Sequence, residues 1–90
     1  MLFAVICDDK SGALDVRTAN RPAHLAYLDE TGVVVQAGPF LDEGGQPCGS
    51  LVIIDVPNME AALAWAQDDP YALAGLFGEV AVRPWRRVVG

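Results

Sequence analysis

Basic residues are scarce in this sequence. Lys10 is the only lysine, arginine occurs five times, and the formal net charge at pH 7 is −6, with a pI of about 4.4. A protein that binds nucleic acid or an anionic membrane surface neutralises phosphates with clustered lysine and arginine. The chain has no basic run, so we expect neither kind of partner.

Cysteines and long apolar runs are scarce too. Cys7 and Cys48 lie far apart and outside any Cys/His cluster, so the sequence predicts free thiols and no metal site. The apolar run that follows Met1 is too short for a signal peptide, and no stretch approaches the roughly 20 residues of a membrane-spanning helix. We therefore expect a cytoplasmic protein. No phosphate-cradling glycine loop is present, so no cofactor is expected.

The 90 residues are enough for a single domain spanning 1–90. Apolar runs alternate with amphipathic stretches in the order β-α-β-β-α-β, with an extra short helix before the last strand. This order predicts an α+β fold of the ferredoxin-like type. The predicted elements are strands over Leu2–Cys7, Val33–Ala37, Ser50–Val56 and Gly78–Arg87, helices over Ala13–Thr31, Met59–Gln67 and Asp69–Leu76, and a loop over Leu41–Gly49.

Both faces of the predicted first and third strands are apolar. Leu2, Ala4 and Ile6 point one way, and Phe3, Val5 and Cys7 point the other. In a two-layer fold the helices cover only one face of the sheet, and a bare apolar face of this size is uncommon in monomers. We therefore expect a homodimer whose two sheets pack face to face.

His24 is the only histidine and the first candidate for chemistry. Arg17, Arg21, His24 and Leu28 are spaced by four, three and four residues, so one continuous helix places them on one face. Pro22 interrupts this region, and if Asn20 caps a new helix, Arg17 leaves the stripe. A lone histidine beside an apolar stripe is often only a structural residue whose hydrogen bonds are satisfied within the fold.

Asp68-Asp69-Pro70-Tyr71 is the second candidate. Asp69 before Pro70 is typical of a helix N-cap, which explains that carboxylate without any chemistry. Alternatively, one of the two aspartates accepts a hydrogen bond from His24. Such a contact would fix the tautomer and leave the other ring nitrogen free to move a proton. The spacing leaves open which aspartate would do so.

Three further positions can contact a ligand. Gly38-Pro39 follows a strand and is a turn by default, although it can also bring backbone close to a ligand. Ser50 either starts a strand or donates a hydrogen bond. No G-x-S-x-G sequence surrounds it, so a serine nucleophile is not predicted. Cys48 is read as incidental.

Together these pieces resemble the YciI-like (YCII-related) family over almost the whole chain. The similar motifs are Arg17, Arg21-Pro22-Ala23-His24-Leu25, Ala37-Gly38-Pro39, Gly49-Ser50, Asp69-Pro70-Tyr71 with Ala74-Gly75, and Pro84. The resemblance implies a ferredoxin-like fold that forms a dimeric α+β barrel. It also implies an active site whose histidine and aspartate correspond to His24 and Asp69.

On this basis the chain is expected to be a cofactor-independent enzyme of the lyase or isomerase type. His24 would act as general base or acid on a small, acidic or ring-derived molecule, and Asp69 would orient it. Arg17 or Arg21 would hold an anionic oxygen, with Gly38 and Pro39 lining the site and Ser50 or Tyr71 adding a hydrogen bond. The alternative is a dimeric module that binds such a metabolite without catalysis.

Overall fold

The computed structural model describes all 90 residues and contains a four-stranded antiparallel sheet with helices on one face. The strand order is β2-β3-β1-β4, so the first and third strands of the chain lie in the centre. This is the predicted α+β, ferredoxin-like arrangement, including the extra short helix. The elements are β1 (Leu2–Asp9), α1 (Leu14–Thr31), β2 (Val34–Leu41), β3 (Pro47–Asp55), α2 (Met59–Asp68), α3 (Pro70–Leu73) and β4 (Phe77–Trp85).

The core lies between the sheet and α2. Phe3, Val5 and Cys7 of β1 point toward the helices, as the alternation predicts, and belong to one buried apolar cluster with Trp65 of α2. Asn58 caps α2 by accepting a hydrogen bond from the Ala61 amide at 2.9 Å. The buried apolar side chains of this layer hold α2 against the sheet. They thereby fix the position of Asp69, the residue that follows α2. No helix of the chain is both long enough and apolar enough to cross a membrane.

Helix α1 is continuous, so the prediction of a break near Pro22 was wrong. The Asn20 side chain donates to the Val16 carbonyl at 2.9 Å instead of capping a new helix. Pro22 is exposed and lies inside the helix, where it removes only one backbone hydrogen bond. The helix ends at Gly32, whose φ of +66° suits glycine. Because the helix is unbroken, Arg17 stays on the same face as His24.

Strand β2 is longer than predicted and runs through Gly38 and Pro39 to Leu41. The physical reason is its place at the edge of the sheet, where a proline without an N–H can face away from its neighbour. The predicted loop of residues 41–49 shrinks to a turn over residues 42–46, in which the Asp42 carboxylate accepts from two backbone amides. Ser50 consequently lies within β3, paired with Pro39, and does not start the strand.

The last third of the chain also differs in its boundaries. Helix α3 is a single turn that ends at Leu73, short of the predicted Leu76, because Gly75 adopts a φ of +74°. Strand β4 ends at Trp85 and contains Pro84, again at an edge of the sheet.

The sheet face away from the helices is apolar, as predicted, but it is not uniformly bare. Ala4 and Ile53 are already buried within the single chain. Leu2, Ile6 and Leu51 are half-buried. The apolar area left for a partner is therefore smaller than the strand alternation alone suggests.

Candidate active site

A cavity of about 390 Å³ lies between α1 and the β2–β3 half of the sheet. Its walls mix apolar side chains with arginine, histidine, serine and tyrosine, as in small-molecule sites where a few polar groups orient the ligand. Seven of the eight residues predicted from the sequence line it, namely Arg17, Arg21, His24, Gly38, Pro39, Ser50 and Tyr71. The eighth, Asp69, lies behind His24.

His24 and Asp69 are in direct contact. The Nδ1 atom of His24 lies 2.8 Å from Oδ1 and 3.0 Å from Oδ2 of Asp69. The two residues are only 6% and 3% exposed, so water competes little for this hydrogen bond. Asp68 is exposed at the end of α2. The geometry therefore selects Asp69 as the partner of His24.

Asp69 also caps α3. Its Oδ1 accepts a hydrogen bond from the Tyr71 amide at 2.9 Å. The same carboxylate therefore caps the helix and contacts the histidine. A carboxylate has enough lone pairs for both bonds, and the cap fixes the orientation in which the oxygens meet the imidazole.

The second ring nitrogen of His24 opens onto the cavity. Nε2 takes part in none of the hydrogen bonds of the structure, and no fully buried polar side-chain atom lacks a partner. Nε2 is therefore accessible, and His24 is one of the residues that line the cavity. Because Nδ1 is engaged by a carboxylate, Nε2 is the atom that can exchange a proton with a ligand.

Tyr71 supports His24 in a way that the sequence did not reveal. Its ring stacks on the imidazole with 3.9 Å between centroids and 14° between planes. The guanidinium carbon of Arg17 lies 4.8 Å from the centroid of the same ring. Burial raises the pKa of the Tyr71 phenol, against the opposing charges of Arg17 and Arg21. The phenol therefore stays neutral at physiological pH.

Arg17 is held by a partner that sequence reasoning missed. Its Nε and Nη2 donate to the two carboxylate oxygens of Asp9 at 2.7 and 3.0 Å, and both side chains are buried. Nη2 also lies 2.8 Å from the Gly49 carbonyl and 2.8 Å from Ser50 Oγ. Burial by itself lowers the pKa of the Arg17 guanidinium, but the hydrogen bond and charge of Asp9 outweigh this effect. The pKa of Arg17 is therefore raised above its ordinary value. The only sequence signal for Asp9 was an acidic pair at the end of β1.

Arg21 differs from Arg17 in its freedom. It is exposed at the mouth of the cavity and forms no ion pair. Gly38 and Pro39 line the opposite wall from β2. The two arginines predicted to bind an anion therefore differ. The charge of Arg17 is neutralised by Asp9 and its side chain is fixed, whereas the charge of Arg21 is unpaired.

Neither cysteine lines the cavity. Burial, with the Asp69 and Asp9 charges adding to it, raises the pKa of the Cys7 thiol to about 12. Cys48 is half-buried in β3, outside the loop assigned to it, and its Sγ approaches the Phe40 carbonyl at 3.6 Å. No group of three or more His, Cys, Asp or Glu side chains is arranged to hold a metal ion.

The YCII-related domain matches residues 1–86 of this chain. The chain belongs to that family. Protein YciI of Escherichia coli O6:H1 is 39% identical over 98% of this chain and 99% of its own length. An uncharacterised protein of Haemophilus influenzae is 34% identical over the same shares.

Two solved structures extend the comparison. The 5-chloro-2-hydroxyhydroquinone dehydrochlorinase TftG of Burkholderia phenoliruptrix AC1100, in complex with 2,5-dihydroxybenzoquinone, has a TM-score of 0.87 and 32% identity. The match covers 96% of this chain and 94% of TftG. An antibiotic biosynthesis monooxygenase has a TM-score of 0.61 at 14% identity, with 99% and 100% coverage, and shares the fold alone.

Proposed function

We propose that this protein is a cofactor-independent enzyme that catalyses elimination or isomerisation of a small hydroxylated ring compound. The observation that carries the proposal is the buried contact between His24 Nδ1 and Asp69, which leaves Nε2 as the accessible nitrogen. The family relationship to a dehydrochlorinase, a small-molecule enzyme, supports the same class of chemistry.

In the proposed reaction, neutral His24 accepts a proton at Nε2 from an acidic group of the ring. Asp69 stabilises the imidazolium that forms, since a carboxylate at Nδ1 is closest to the new positive charge. Nε2 passes this proton to the chlorine-bearing ring carbon, and loss of a proton from a second ring hydroxyl then drives the electron pair through the ring to expel chloride, so that the net change is loss of HCl and formation of a hydroxyquinone. In an isomerisation, the proton returns from Nε2 to a different carbon instead.

The developing oxyanion needs positive partners. Arg21 supplies an unpaired charge at the cavity mouth, while Arg17 has its Nη1 free of hydrogen bonds within the chain. Ser50 and the neutral phenol of Tyr71 line the same cavity and can donate to the oxygen. Preorganised donors of this kind are worth about 10²–10³-fold in rate each.

Chloride release from 5-chloro-2-hydroxyhydroquinone is the direct test. Wild-type protein is expected to accelerate release above the buffer rate, as measured with a chloride electrode under anaerobic conditions. The same ring without chlorine is the control, and in D₂O it is expected to exchange ring hydrogens, which NMR detects. Binding of both compounds with neither release nor exchange would refute the enzyme and favour a binding module.

We further propose a homodimer formed through the sheet face that the helices leave uncovered. Leu2, Ile6 and Leu51 remain half-buried there. Trp85, which pairs with Leu2 and so shares its face, is 38% exposed. Joining two such faces would remove this apolar row from water.

Sedimentation at micromolar concentration tests the dimer. The wild type is expected to sediment at twice the chain mass of 9.6 kDa, and Leu51→Glu is expected to sediment as a monomer. Leu73→Glu, at a 73% exposed position on α3, is the matched control and should leave the dimer intact. A monomeric wild type would defeat this proposal without affecting the proposed chemistry.

A further inference from the structure

Asp9 is a buried carboxylate that the proposed mechanism does not use. Its side chain is 6% exposed, and its two oxygens are both taken by Arg17. A bidentate pair of this kind is fixed in geometry and carries no net charge. One of the two arginines in the cavity wall is therefore neutralised before any ligand enters.

The remaining charges of the site balance only as a sum and are not paired with each other. His24 is in contact with the carboxylate of Asp69, and Arg21 is the one cavity cation without a carboxylate partner. Apart from His24, two arginines face two aspartates around the cavity. Tyr71, Tyr27 and Cys7, which also lie near these charges, have raised pKa values and stay uncharged at neutral pH.

A balanced site treats two kinds of acid differently. A ring carboxylate brings a negative charge, and because Arg21 already offsets Asp69 in this sum, the site can compensate that charge only by taking up a proton. A phenol or enol enters uncharged, and when its proton passes to His24 Nε2 the total charge does not change. Burying an uncompensated charge is costly, so the second kind of ligand is favoured.

We propose that Asp9 is a specificity-determining residue that makes the cavity select uncharged hydroxylated rings over ring carboxylates. The idea rests on the proposed function for its ligand class, phenols and enols. The sequence predicted an anionic ligand; under this proposal the ligand enters uncharged and becomes an anion only inside the cavity. Asp9 acts through Arg17, since its own oxygens are fully engaged there.

The selectivity can be tested by comparing the binding of two related ligands, without measuring turnover. Hydroquinone and 2,5-dihydroxybenzoate share a ring and differ by one carboxylate, and calorimetry at pH 7.5 gives the ratio of their Kd values. Wild type is expected to prefer hydroquinone. Asp9→Asn, which leaves one more positive charge unpaired, is expected to shift the ratio toward the carboxylate by about tenfold. Asp8→Asn changes the net charge equally at an exposed position and should leave the ratio unchanged.

A second variant guards against simple damage to the fold. Replacing a buried ion pair as a unit is often tolerated, whereas breaking it is not. The double variant Asp9→Asn with Arg17→Met restores the charge balance, so its ratio is expected to return toward that of the wild type.

Three results would overturn the selectivity proposal: wild type preferring the carboxylate, equal shifts in Asp9→Asn and Asp8→Asn, or millimolar hydroquinone failing to bind wild type. If the ratio of Kd values changes as expected but the protein shows no turnover, the proposed enzymatic activity is wrong and the proposed selectivity is supported.

Discussion

His24→Ala is expected to lower turnover of the chlorinated ring by about 10²–10⁴-fold, the usual contribution of a positioned acid or base. The substitution removes Nε2, the accessible nitrogen of an imidazole whose other nitrogen contacts the buried carboxylate of Asp69. The rate of chloride release at saturating substrate measures the loss. Added imidazole is expected to restore part of it, because the cavity left by the side chain can admit a free base.

The fold should survive this change, because His24 lines a cavity outside the main apolar cluster. Circular dichroism and sedimentation are expected to match the wild type. An alanine variant that keeps more than a tenth of wild-type turnover would contradict the proposed role of the histidine.

The two neighbouring aspartates provide a matched comparison for the same dyad. Asp69→Asn keeps an oxygen for the Tyr71 amide but removes the charge beside the imidazole, so turnover is expected to fall by at least about tenfold while the helix cap persists. Asp69→Ala should add a stability loss of about 1 kcal/mol from the missing cap. Asp68→Asn alters an exposed carboxylate and should change neither quantity. Equal loss from Asp68→Asn and Asp69→Asn would remove Asp69 from its assigned role.

Much of the architecture could be predicted because it depends on local patterns. Alternation in β1 correctly separated Phe3, Val5 and Cys7 from the opposite face, and the predicted helix end at Thr31 and helix start at Met59 agree with the structure. These features depend on neighbours within a few residues, which the sequence displays directly.

What could not be predicted depends on partners far along the chain. The end of β2 was placed too early because Pro39 signals a turn until its position at an edge of the sheet is known. Asp9 and the stacking of Tyr71 on His24 were missed for a related reason. Each depends on how α1 lies over the sheet, and helix spacing shows which residues share a face but not what that face meets.

Gly49→Ala is expected to destabilise the protein by about 2–3 kcal/mol, although alanine is the smallest possible addition. A Cβ at this position would lie 2.5 Å from the Cys7 carbonyl oxygen and 3.1 Å from Cδ2 of Phe40. The carbonyl belongs to the neighbouring central strand, so it cannot move away without disturbing the ladder between β1 and β3. For a domain of this size the loss corresponds to a fall in Tm of about 10 °C or more.

Gly49→Ala should also disturb the active site. The Gly49 carbonyl accepts a hydrogen bond from Arg17, and the next residue is Ser50, so a displaced β3 moves two groups of the cavity wall. Gly38→Ala is the control, because a Cβ there would meet no atom within 4 Å and Gly38 does not have a positive φ. Thermal unfolding should leave Gly38→Ala within about 0.5 kcal/mol of the wild type. Equal stability of the two variants would show that β1 and β3 can separate at Gly49 more easily than their close packing indicates.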